Sequence, residues 1–160
     1  MADGTFNVGL GRIVELANRV NSNDPANSAF VLVVLKAAGL QADSVLIDYN
    51  DLAAILAATN DEATNAGYAR KVLTDVSGIT VTVDDTEDEV LVNFPAQIFA
   101  TVAAAGGAWG KSLVCYDSDT TGGTDANIVP LTFHDCAITP DGRDITLTPQ
   151  TGGWYQDSMA

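Results

Sequence analysis

The chain has 160 residues, and 21 Asp and Glu against 7 Lys and Arg leave a formal charge of -14, with a single His. That balance excludes the exposed basic track that grips nucleic acid or an anionic membrane surface. The length suits one domain, taken as residues 1–160, and a hydrophobic content of 47% excludes a disordered acidic tail.

The opening MADGTFN has no basic stretch followed by an apolar one, so no secretory leader is predicted and the chain is expected to be made in the cytoplasm. Leu10, Ile13, Val14, Ala17 and Val20 recur at a spacing near that of one helical face, with Arg12, Glu15 and Arg19 on the others. A helix over about 9–19 follows, ended by the polar run Asn21 to Asp24 and by Pro25, which lacks an amide proton. Residues 1–25 could thus form an N-terminal helical arm packed on a neighbouring molecule. The continuous apolar run Ala29 to Leu35 reads as a strand covered on both faces, by helices of this chain or by another subunit, and is too short to span a bilayer as a helix.

Asp48 or Asn50 is placed to cap a helix whose buried side is Leu52, Ile55 and Leu56. A further short helix is expected around 65–72, with Tyr68, Val72 and Leu73 as its apolar contacts. From Gly78 the period changes to two: Ile79, Val81 and Val83 alternate with Thr80 and Thr82. Residues 84–89 then place five carboxylates in six positions before Val90 resumes a strand, which predicts a solvated hairpin connection at the solvent or rim side. More strands are expected at Ile98 to Val102, Leu113 to Tyr116, Ile128 to Phe133, Ala137 to Thr139 and Ile145 to Thr148, with a turn at Pro140-Asp141-Gly142. The predicted fold class is α+β, an antiparallel β-sheet or sandwich-like domain with an N-terminal helix and one or two short covering helices.

Candidate chemistry is sparse. Asp117, Asp119 and Asp125 surround a Gly-permitted bend and could offer hard oxygen ligands to calcium, but the segment lacks the twelve-residue loop ending in a bidentate Glu. A turn whose Asp and Thr side chains bond their own backbone is the plainer reading. His134 and Cys136 share one face of a strand and Asp135 points away, so the three do not converge as a metal site or a nucleophile-base pair. Cys115 and Cys136 read as buried thiols, with one bridge between neighbouring strands left open. Trp109, Phe133, Trp154 and Tyr155 are scattered as core or interface aromatics are, and no Gly-rich phosphate loop is present. Neither a catalytic residue nor a cofactor other than calcium is predicted.

The stretches 61–74 and 113–132, the opening 12–29 and the turn Thr139-Pro140-Asp141-Gly142 resemble a family of small structural proteins encoded by tailed bacteriophages and prophages. The likeness runs from about Leu10 to Tyr155. It implies a virion component without enzymatic activity: a decoration (cement) protein on the capsid shell, or else an accessory of the tail or fibre attachment. The implied partners are the major capsid protein or other virion proteins, with a dimer or trimer as the free form and neither nucleic acid nor membrane as a partner. A host-glycan-binding module is the rival, and would need an aromatic-lined hollow at Trp109 or Trp154.

Overall fold

The computed structural model describes residues 3–149 and 153–158. The ends of the predicted domain and arm, residues 1–2 and 159–160, lie outside them. In chain order the elements are β1 (Gly4–Thr5), α1 (Ile13–Asn21), β2 (Ala29–Lys36), α2 (Asp43–Leu46), α3 (Leu52–Ala57), β3 (Lys71–Leu73), β4 (Thr80–Asp84), β5 (Glu89–Asn93), β6 (Gln97–Phe99), β7 (Trp109–Asp117), β8 (Val129–Ile138), β9 (Ile145–Leu147) and β10 (Tyr155–Ser158). Short 3-10 turns occupy Asn7–Gly9 and Asp125–Asn127.

The fold is α+β, with antiparallel sheets in a sandwich-like arrangement. A five-stranded sheet runs β1-β8-β7-β2-β3, a three-stranded sheet β10-β5-β4, and a two-stranded sheet β6-β9. Every strand pairing is antiparallel. β2 lies between β7 and β3, and its alternation divides the interior. Phe30, Leu32 and Val34 enter one apolar cluster with α1, Val92 and Trp109, while Val31, Val33 and Leu35 enter a second with Phe6, Leu46, Leu52 and Ile55. Successive side chains of a strand point to opposite faces, so one apolar run feeds both clusters. The second cover of β2 is therefore supplied by this chain's own α2 and α3.

α1 buries Ile13, Leu16, Ala17 and Val20 in the first cluster. It begins later than the periodicity predicts, because Asn7–Gly9 closes a 3-10 turn and Gly11 takes a positive φ of 72°. Leu10 is consequently exposed instead of joining the stripe. α3 starts where predicted, but its cap is Asp51, whose Oδ1 accepts the Ala54 amide at 2.7 Å, and not Asp48 or Asn50.

The helix expected around 65–72 does not form. Ala66 and Gly67 make a turn, and Lys71–Leu73 pairs with β2 as β3. Gly67 has φ +90°, and a Cβ there would lie 2.6 Å from the carbonyl oxygens of both Ala100 and Thr101. Close backbone approach outweighs helix propensity at this point. Asn65 is committed as well: its amide nitrogen donates to Ala103 O and Gly107 O, and its Oδ1 accepts the Trp109 indole.

In the second half the strand predicted over 98–102 is only Gln97–Phe99, because Thr101 turns with φ +52° and donates its amide to Asp144 Oδ1. The strands predicted at 128–133 and 137–139 are one continuous β8, running through His134 and Asp135. β10 had no sequence signal and is found pairing with β5.

Candidate functional site

The acidic hairpin forms as predicted. β4 and β5 pair from Thr80↔Asn93 to Asp84↔Glu89, leaving residues 85–88 as the turn. Asp84 Oδ1 accepts the amides of Thr86 and Glu87 and holds that turn in shape. The side of this sheet that faces the first cluster carries Val81 and Val92, with Val92 buried. One pleat nearer the turn, Val83 is opposite Val90 and 69% exposed, so the sheet outruns the core. A hollow of about 310 Å³ lies there, bounded by Val83, Val90, Asp85, Asp88 and Asp157.

The calcium candidates turn to separate partners. Asp117 Oδ1 accepts the Asp119 amide at 3.0 Å, and Asp119 Oδ1 accepts the Thr121 amide and hydroxyl. Those bonds from Thr121 hold the Asp119 carboxyl below its ordinary value. Asp125 belongs to another network: Arg70 donates to it at 2.6 and 3.0 Å and to Glu62 at 2.7 and 2.9 Å. Hydrogen bonding to Arg70 lowers the Asp125 pKa, and the same two partners raise that of the guanidinium. The segment is thus the self-bonded turn, tied to the body through Arg70. Among the described residues no group of three or more His, Cys, Asp or Glu is placed to hold a metal ion.

His134 is separated from Asp135 as strand parity predicts. Its ring contacts Thr132 Oγ1 at 2.9 Å and Asp3 Oδ2 at 3.1 Å, and lies edge-on to Trp154. His134 and Cys136 both border a hollow of about 160 Å³. Burial, assisted by the neighbouring Asp135 charge, pushes its thiol up to about 12, and burial raises Cys115 further still. Both thiols are free and sit in different apolar clusters on opposite faces of the five-stranded sheet. Neither is an activated nucleophile.

On the opposite face lies a centre that the sequence reading missed. Lys111 is 1% exposed, and its ammonium donates to Asp135 and, at 3.0 Å, to Asp43, while standing 4.9 Å from the Phe133 ring centre. Burial works against the charged form, but the bonds to Asp135 and Asp43 outweigh it and the Lys111 pKa is raised. Lys111 and Asp43 border a groove of about 730 Å³ whose other walls include Ala37, Leu40, Trp109 and Ala137. The available signal was a lone Lys inside the run Trp109 to Cys115, which is otherwise free of charge. The partner Asp43, distant in sequence, carried none.

The aromatics are packed. Trp109 is fully buried against Tyr68 and Phe99, and Trp154 stacks on Phe94 at 4.5 Å while its indole donates to Phe94 O. Phe133 is buried edge-on to Phe6. Trp109, Phe133 and Trp154 are thus the core aromatics that their scatter in the sequence predicts.

No family model, no curated protein and no solved structure matches the chain.

Proposed function

We propose that the chain is a non-enzymatic structural protein of a bacteriophage particle, a capsid decoration (cement) protein that stabilises the shell through protein–protein contacts. The observation that carries this reading is the condition of the sheet edges. β3 ends the five-stranded sheet with Val72 49% exposed, β4 ends the three-stranded sheet with Val83 69% exposed, and β6 borders the two-stranded sheet with Ile98 56% exposed. Monomeric proteins blunt such edges with Lys, Pro or bulges, since an open edge with branched apolar side chains recruits other chains. β3 and β6 are three residues long and β3 carries Lys71, which blunts them, whereas β4 is a five-residue edge without Lys or Pro, and an edge left open in this way suits a protein that neighbours cover. The resemblance drawn from residues 61–74 and 113–132 implies the same reading.

A decoration protein seated across subunit junctions makes several modest contacts at once, and tethering makes their sum tight. Charge would then set orientation, with the acidic surface steered toward basic patches of the shell protein. The test is the position and copy number of this chain in an intact particle imaged at side-chain resolution. Regularly placed copies over the shell are expected, with the Val72, Val83 or Ile98 edges covered. A few copies at a vertex or along the tail would replace decoration with a tail-accessory role. Absence from mature particles would overturn the reading.

A further inference from the structure

We propose that the open edge of β4, with the valine face it carries past the core, docks an extended basic segment of another protein by strand addition. β5 is paired on both sides, by β10 and β4, whereas β4 is paired on one. In an antiparallel strand every second residue turns its N–H and C=O away from a given neighbour. Among the described residues, no backbone hydrogen bond outside the β4–β5 ladder reaches Thr80–Asp84. The sequence Thr-Val-Thr-Val-Asp has high strand propensity and contains none of the Lys or Pro that would blunt the edge. Val83 and Val90 extend the core-facing side into the solvent, so an added strand would find apolar contact as well as backbone partners.

Charge selects the occupant. A second copy of this chain would bring another molecule of charge -14 against the first, so general repulsion opposes it. A segment with branched apolar residues over Val81 and Val83, and Lys or Arg toward the turn, meets Asp85, Asp88 and Asp157 instead. Among the described residues no Lys or Arg of this chain forms an ion pair with residues 84–89 or Asp157. Strand addition would supply affinity through the main chain, and the valines and carboxylates would supply register and choice of partner. That the partner is a particle protein rests on the function proposed above; the docking chemistry does not.

The experiment uses the purified full chain and a blocked heptapeptide alternating lysine with valine, followed by amide-resolved NMR titration, with the glutamate-valine peptide as counterpart. Shifts confined to β4, the hairpin and β10 are expected, with binding that weakens as salt is added. Val83→Lys should weaken it by about tenfold or more, the worth of one buried valine side chain. Asp85→Asn with Asp88→Asn should flatten the salt dependence without disturbing the fold, whereas Asp61→Asn with Asp75→Asn, equal in charge, should leave affinity unchanged. The proposal fails if the lysine peptide does not bind, if both double variants weaken it equally, if the glutamate peptide binds as well, or if the edge is instead occupied by a second copy. Because the measurement needs no particle, absence of the chain from virions would defeat the function proposed above while leaving this result standing.

Discussion

Lys111 shows how one side chain can be legible in the sequence while its role is not. A charge in a strand whose residues are all buried demands compensation, and the compensation comes from Asp43 near the start of α2 and Asp135 on β8. Removing one member of a buried ion group leaves desolvated charge behind, which is far more damaging than the group is stabilising. Lys111→Met should accordingly lower stability by about 3 kcal/mol in urea denaturation, and neutralising Asp43 and Asp135 in the same background should recover part of that loss. The Arg70 network gives a pH signature. Its bonds lower the Asp125 pKa in the folded chain, so the stability they contribute is present above the unfolded carboxyl pKa, about 4, and is lost as pH falls through the lower folded value. Asp125→Asn should reduce the acid-induced loss of stability below about pH 4, measured by thermal melts at stepped pH. The loop that holds Asp117, Asp119 and Asp125 had the residue types of a calcium site; Asp117 and Asp119 bond the loop's own amides, while Asp125 is taken by Arg70, 55 positions away.

At the scale of elements, local pattern succeeded where one face decides the structure. The stripe of α1, the alternation of β4 and the carboxylate-rich turn each state their environment in a few consecutive residues. It failed where a partner distant in sequence decides. Residues 65–72 have helical character, yet Asn65 is held by the 103–107 connection and Gly67 by the backbone at 100–101. Gly67→Ala tests that account: the φ of +90° and the 2.6 Å approach to two carbonyls should cost about 2 kcal/mol or more, although the same change in an ordinary helix would be stabilising. Equilibrium denaturation reads the sign directly. β10 was missed for a related reason. Tyr155–Ser158 has no apolar run of its own and is a strand because β5 offers it a paired edge.

The whole molecule combines open edges with strong self-repulsion. A charge of -14 on each copy opposes association, while Val72, Val83 and Ile98 are exposed on edge strands. Acidification toward the sequence isoelectric point, near 4.1, removes the repulsion and leaves the edges. Light scattering of the isolated chain should therefore show association rising as that pH is approached, and Val83→Lys should diminish it. If association is unchanged by that substitution, the β4 edge is not the contact.

Neighbouring residues were enough to specify the α+β class, the amphipathic N-terminal helix, the doubly covered β2 and the wet acidic hairpin. Each depends on a period of two or 3.6, or on like charges that stay in water. The tertiary structure alone decided which chain covers β2, which carboxylates meet Arg70 and Lys111, and which strand edges remain open. Those outcomes depend on segments tens of residues apart being brought into contact, and no local spacing carries that information.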